Sequence, residues 1–351
     1  MNNINEGISI LAEHKSDDLS VFVIGESNYK KNKPANGGLR LLCYKSDEDC
    51  INDGVRLAHL MKCKHEIYST GFSGGKVVAR AKEPTLIKNK LITITAELLD
   101  SLNGNMITGC DLNTTITDME KLQELTPYVL AAVGSELDAS SATAYGVMGS
   151  IDSYVESVRP NKNKKFTALI HGCGSVGSVV AKLLIKSSWN VLTVDLDNKK
   201  ADIEGAKVID SNSKWWKEKF DVLIPCSISG LLTKEIINSI NINAIVSAAN
   251  APFLDPKDAN YLQEKGVEVI PDPLVNAGAV IADSIELFAP DLWKSSPPKK
   301  IYEFVRQSIK ESTSFFLDLR TRGFSTKEAL KKISKDKSNY PIGLDFANFL
   351  K

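Results

Sequence analysis

The sequence predicts an α/β protein in two units, an N-terminal mixed α/β unit followed by a doubly wound parallel sheet. Its 351 residues are enough for two domains at roughly 100–200 residues each, and a 43% apolar share can fill a core in both. From Phe166 onward, short apolar runs alternate with helical stretches. Most of these runs lack a polar face, as strands buried on both sides of a parallel sheet do. The first half has no such regular alternation and mixes both kinds of element.

Taken in order, residues 19–24 and 39–44 read as strands, the former as an edge strand able to support a dimer. Residues 47–62 read as a helix, with Ile51, Val55, Ala58 and Met61 at three- and four-residue steps and a capping box between Ser46 and Asp49. Helices are expected over 91–102, over 118–125 after Thr114-Thr115, and over 144–158. A polar stretch over 159–165 interrupts the pattern. The second half then gives strands at 166–170, 191–194, 208–209, 222–224, 244–246 and 267–270, with a helix after the first reaching about Lys186. The tail is helical over 302–319 and 326–338. The boundary is placed near residue 135, with residues from about 325 to 351 returning to the first unit.

Charge and composition exclude several functions. Lys plus Arg number 43 against 43 Asp plus Glu, so there is no electrostatic footprint for nucleic acid and no basic tether for a membrane. Residues 1–6 lack the basic start of a signal peptide, and no apolar run approaches roughly 18 residues. A soluble, cytoplasmic protein is expected. Six cysteines without a Cys-x-x-Cys pair read as reduced and mostly structural, and four histidines without i, i+4 pairing predict no metal site.

The segment His171-Gly172-Cys173-Gly174-Ser175-Val176-Gly177 follows a strand and opens a helix, the context a dinucleotide-binding glycine motif requires. Gly172 serves the tight turn, Gly174 lets the backbone approach a pyrophosphate, and Gly177 lets helix and strand pack closely. Ser175 and Val176 begin the helix whose N–H groups face the anion. Asp195, eighteen residues after Gly177, closes the next strand. A carboxylate there accepts from ribose hydroxyls and repels a 2′-phosphate, which favours NAD. Residues 136–324 thus read as a Rossmann dinucleotide-binding domain, and residues 1–135 with the tail as a substrate and oligomerisation domain.

Lys64, Lys76 behind the glycine turn Ser73-Gly74-Gly75, and Asp111 suit a 2-amino acid. One ammonium pairs with the α-carboxylate, a second with a depressed pKa polarises a carbonyl or activates water, and the aspartate moves protons. The segments Pro34-Ala35-Asn36-Gly37-Gly38-Leu39-Arg40, Lys64, Lys76, Asp111 with Asn113-Thr114-Thr115, Thr143-Ala144-Tyr145-Gly146-Val147, Ala248-Ala249-Asn250 and Pro271-Asp272-Pro273-Leu274-Val275-Asn276 follow one another in order.

This order resembles the glutamate/leucine/phenylalanine/valine dehydrogenase family over nearly the whole chain. The resemblance implies reversible oxidative deamination of an L-amino acid to its 2-oxo acid, ammonia and NADH, in a homo-oligomer with a cleft between its domains. It implies that Gly37, Gly38 and Arg40 open the substrate pocket, that Lys64 holds the carboxylate, that Lys76 and Asp111 are catalytic, and that Thr143, Asn250 and Asn276 face nicotinamide and substrate. It also implies that Asn36, Met61, Val280 and Asp283 line the side-chain space. A carboxylate at Asp283 favours a substrate side chain with a hydrogen-bond donor or positive charge, unless Asp283 turns to solvent or a structural partner. The competing readings are a 2-hydroxy acid or alanine-type dehydrogenase, which usually needs a histidine acid/base, and a divergent member acting as a binding or accessory protein.

Overall fold

Residues Leu19–Glu26 bury every side chain except the last, which requires neighbours on both edges and cover on both faces. In the computed structural model, which describes residues 7–26, 33–158, 165–336 and 340–351, this segment pairs antiparallel with Ile8–Lys15 and with Ser73–Ala81. In chain order the first sheet holds β1 (Ile8–Lys15), β2 (Leu19–Glu26), β3 (Ala35–Asn36), β4 (Leu39–Leu42), β5 (Ser73–Ala81) and β6 (Met106–Ile107). They run β1-β2-β5-β3-β6, with β4 also on β5. The expected edge strand is therefore interior. The rim belongs to β1, whose half-polar sequence gave no clear strand signal.

The glycines before Lys76 were expected to form a turn and instead lie inside β5. Close packing explains their type. A Cβ on Gly37 would fall 1.9 Å from the Gly75 carbonyl oxygen, and one on Gly74 would meet helix backbone at the Ala58 oxygen, 2.5 Å away. Three chain segments approach more closely than any side chain permits.

The helices of this half are α1 (Asp47–Tyr68), α2 (Lys88–Ser101), α3 (Ile116–Leu125) and α4 (Ala139–Val158). Helix α1 continues past Lys62 because His65, Ile67 and Tyr68 are buried by the rest of the molecule. Ser46 accepts from the Asp49 N–H at 3.1 Å, half of the expected capping box, while Thr115 and Asp118 form the full reciprocal box on α3. Helix α4 starts five residues before position 144 because Asp138 accepts from the N–H groups of Ser140 and Ser141.

The second sheet holds β7 (Thr167–His171), β8 (Asn190–Val194), β9 (Lys207–Val208), β10 (Val222–Pro225), β11 (Ala244–Val246) and β12 (Glu268–Ile270). All pairs are parallel, in the order β12-β11-β10-β7-β8-β9. Chain direction across the sheet reverses between β7 and β10, the switch point at which doubly wound sheets bind ligands. The helices are α5 (Ser175–Lys186), α6 (Asn198–Ala201), α7 (Lys234–Ser239), α8 (Lys257–Glu264), α9 (Asp272–Val275), α10 (Gly278–Phe288), α11 (Pro290–Ser295), α12 (Pro298–Thr321), α13 (Thr326–Asp336) and α14 (Phe346–Phe349).

Helices α4 and α12 lie along each other, joined by the Arg306–Asp152 pair at 2.7 and 2.9 Å and by Ser150 and Thr313 hydroxyls at 2.9 Å. Helix α13 packs on both α1 and α12. One apolar core runs through Tyr68 of α1, Ile151 of α4, Ile170 of β7 and Phe316 of α12. The expectations for residues 1–6, for the polar stretch at 159–164 and for the helix end at 337–338 lie outside the described residues. All six cysteines are free, but Cys43, Cys63 and Cys110 are exposed, so only half fit the packed, structural reading.

Candidate active site

Strand β5 presents Lys76 almost fully buried, and the turn after β6 brings Asp111 to it. The Nζ–Oδ2 distance is 2.6 Å. Arg40 on β4 approaches the same carboxylate, with Nε 2.9 Å from Oδ2, and its Nη1 reaches Asp53 at 3.1 Å. Asp111 is held in place by its own turn, where its N–H donates to the Thr114 hydroxyl at 2.9 Å and its carbonyl accepts from the Thr114 N–H at 3.0 Å. Burial pushes the Asp111 carboxyl up, but the Lys76 ammonium and the Arg40 guanidinium outweigh it and hold the group well below the usual carboxylate range. Burial likewise lowers the Lys76 pKa, with Asp111 opposing. A close lysine–aspartate pair is thus in place, with burial drawing Lys76 toward its neutral form and its neighbours holding Asp111 ionised, and the arginine supports it from behind.

Lys64, on the last turns of α1, is 7% exposed and donates to the Asn276 carbonyl at 3.5 Å. Burial pushes its pKa down to about 8, the charge of Lys76 adds to this, and Asp272 opposes it. The Asn276 side chain donates to the Ala248 carbonyl at 3.0 Å and to Asn250 Oδ1 at 2.9 Å, which ties together the loops after β11 and β12.

These groups line a single cavity of about 360 Å³ between the two sheets. Asn36, Gly37 and Gly38 contribute from β3 and the bend after it, and Met61 and Lys64 from α1. Lys76, Asp111, Asn276 and Val280 complete the substrate wall, while Thr143, Val176 and Asn250 close the side toward the second sheet. Asp283 faces the cavity too. It has a structural partner as well, since Oδ2 accepts from the Asn36 amide at 3.3 Å.

The remaining residues singled out in the sequence, Gly172, Gly174, Ser175, Gly177 and Asp195, gather at the β7–α5 junction rather than in the cavity wall. Gly172 has φ +95°, a left-handed conformation, and a Cβ on Gly177 would lie 1.9 Å from the Gly172 oxygen. A Cβ on Gly174 would meet nothing within 4 Å. Gly174 caps α5 without a side-chain acceptor, so the first N–H groups of that helix are open to an anion. Asp195 accepts from the Cys173 N–H at 2.6 Å and from the Asp197 N–H at 2.9 Å, which fixes its carboxylate against the glycine turn. The junction fits a dinucleotide in turn shape, open N–H groups and carboxylate placement.

The histidines take other roles. His65 is buried between the Thr70 hydroxyl at 2.7 Å and the Asn36 carbonyl at 3.3 Å, and burial pushes its pKa down to about 3. His171 bonds Ser227 at 2.8 Å. Arg40, read with Gly37 and Gly38 as opening the substrate pocket, is laid by the fold on Asp111. Two features of the site escaped the sequence. Glu286 also lines the cavity, and its spacing of three residues from Asp283 on one helix was the signal for it. The segment Leu130-Ala131-Ala132 lines the cavity from a loop without any periodic signal.

Fold and cavity together define the class: a doubly wound α/β protein with a dinucleotide-type glycine turn at its switch point and a lysine–aspartate pair in the adjoining cavity. The family model described as Glutamate/Leucine/Phenylalanine/Valine dehydrogenase matches residues 193–314. Phenylalanine dehydrogenase of Caldalkalibacillus thermarum is 30% identical over 272 residues, covering 74% of this chain and 73% of that one. L-tryptophan dehydrogenase of Nostoc punctiforme is 27% identical over 312 residues, 87% and 86% of the two chains. The crystal structure of L-tryptophan dehydrogenase from Nostoc punctiforme superposes with a TM-score of 0.73 at 22% identity over 99% of this chain and 97% of that one. Hetero-hexameric glutamate dehydrogenase from Thermus thermophilus gives 0.74 at 18% identity over 92% and 86%. The chain belongs to the glutamate/leucine/phenylalanine/valine dehydrogenase family, and so to the amino acid dehydrogenases, oxidoreductases acting on a CH–NH2 group.

Proposed function

We propose that the protein catalyses the reversible oxidative deamination of an L-amino acid to its 2-oxo acid and ammonia, with NAD as the oxidant. The observation that carries this reading is the convergence of Lys64, Lys76 and Asp111 on one cavity, which Thr143, Val176 and Asn250 close from the dinucleotide side. Lys64 offers the substrate carboxylate a buried ammonium. Lys76 Nζ activates the water that adds to the iminium carbon and stabilises the developing carbinolamine oxygen, while Asp111 carries protons to and from the nitrogen. NAD, when bound at the β7–α5 junction, supplies the acceptor for the α-hydride. Burial of Lys64 and Lys76 and the partial burial of Asp111 strengthen each charge interaction.

The choice of NAD over NADP is supported by Asp195, whose carboxylate stands directly after β8 where a 2′-phosphate would meet like charge. The division near residue 135 assigns Lys64, Lys76 and Asp111 to the substrate unit. The companion reading is a cytoplasmic homo-oligomer; the Thermus thermophilus neighbour, named as a hetero-hexamer, supports assembly into an oligomer but not its composition.

The test is an amino-acid panel with NAD and NADP in parallel, on the wild type and on Lys76→Ala. The expected outcome is turnover with NAD and a loss of at least ~10²-fold in kcat for Lys76→Ala, with NAD affinity retained. An inactive wild type with ordinary NAD affinity would instead favour a binding or accessory role. Turnover of a 2-oxo acid without ammonia would point to hydroxy acid chemistry.

A further inference from the structure

Helix α10 carries two carboxyl groups to the cavity, and among the described residues neither has a cation within 4.0 Å. Asp283 spends Oδ2 on the Asn36 amide, and Glu286 spends Oε2 on the Ala132 N–H at 3.2 Å. Their second oxygens accept no hydrogen bond among the described residues. A second, independent feature lies beside them. Asn36, 2% exposed and on the same cavity wall, leaves its Oδ1 buried with no partner. A buried acceptor without a donor costs stability unless something outside the chain supplies one. The neighbouring wall, from Met61, Leu130 and Val280, is apolar.

Resting on the dehydrogenase reading above, we propose that this end of the cavity is the side-chain subsite and that it takes a 2-amino acid whose side chain is a methylene stem ending in a cation. The apolar wall covers the stem and the acceptors meet the charged tip. A terminal ammonium has three donors, enough for the free oxygens of Asp283 and Glu286 and for the unpartnered Oδ1 of Asn36 beside them. An aliphatic side chain would leave the carboxyl groups desolvated without compensation, and a carboxylate side chain would meet like charge. Burial disfavours the charged form of both groups without a ligand: it holds the Asp283 carboxyl well above its usual range and pushes Glu286 up to about 7. A cation between them would favour their ionised forms.

The experiment compares kcat/KM for L-ornithine and L-lysine with that for L-norleucine, L-leucine and L-phenylalanine, on the wild type and on Asp283→Asn and Glu286→Gln. A preference for a basic substrate over norleucine of at least tenfold is expected, with each variant reducing that ratio at least tenfold. Preference of the wild type for norleucine, leucine or phenylalanine overturns the subsite while leaving the dehydrogenase reading intact, as does an unchanged ratio in both variants. If no amino acid turns over with either dinucleotide, the dehydrogenase reading fails. Calorimetric titration of the wild type with lysine and norleucine then decides the subsite, tighter lysine binding upholding it and equal affinity overturning it.

Discussion

Lys64 shows how burial turns an ordinary surface residue into a tuned one. Its ammonium sits where water is scarce, so its neutral form gains and its pKa comes down to about 8. The sign for binding follows directly. Below pH 8 the side chain is charged and attracts a carboxylate, and above it the charge is lost. The affinity for a 2-oxo acid, measured calorimetrically without ammonia so that no substrate amine titrates, is expected to fall from about pH 8 upward. Binding in that range takes up a proton. Lys64→Arg is expected to remove this alkaline limb, since a guanidinium stays charged throughout. An affinity flat to pH 9.5 in the wild type would exclude Lys64 as the carboxylate partner. Asp111 is the opposite case: paired with Lys76 and Arg40, it stays ionised across the same range.

At the scale of elements, the β7–α5 junction separates two roles that glycine plays. Gly177 is needed by the protein itself, because a Cβ there would strike the Gly172 carbonyl at 1.9 Å. Gly177→Ala is expected to lower the unfolding free energy by about 1–3 kcal/mol, the usual cost of overpacking, when followed by urea denaturation. Gly174 has an ordinary φ of −72° and open space where a Cβ would go. Gly174→Ala is therefore expected to unfold at the wild-type urea midpoint while binding NAD at least tenfold more weakly. Unchanged NAD affinity in that variant would place the pyrophosphate elsewhere. The same distinction explains Gly37 and Gly75, whose strands approach too closely for side chains and so bring Asn36 and Lys76 onto one wall.

For the whole molecule, the main question is how strongly the two sheets are coupled. The apolar core that joins Tyr68, Ile151, Ile170 and Phe316 crosses from one half to the other, and the Tyr68 hydroxyl donates to the Leu274 carbonyl at 2.5 Å. The halves are therefore expected to unfold in one transition. NAD at a hundred times its Kd is expected to add about 2.7 kcal/mol to the unfolding free energy. Hydrogen exchange would show equal added protection in α1 and α5, although only α5 faces the dinucleotide. Protection confined to α5 would show that the halves open independently. The balance of 43 cations against 43 anions fits this picture, because recognition rests on a few buried charges rather than on a long-range field.

The sequence by itself determined the parallel sheet, the glycine turn and the catalytic candidates. Apolar runs without polar faces, a strand–glycine–helix succession and short motifs are local signals. Each is written in neighbouring residues. Only the tertiary structure decided that β2 is interior, that the Gly74-Gly75 pair lies within a strand, that Arg40 meets Asp111, and that Glu286 joins Asp283 beside Asn36. Asn36 and Asp283 are 247 positions apart, and Arg40 and Asp111 are 71 apart. Contacts at such separations depend on how strands pair and helices pack, and neither hydrophobic period nor local spacing carries that information.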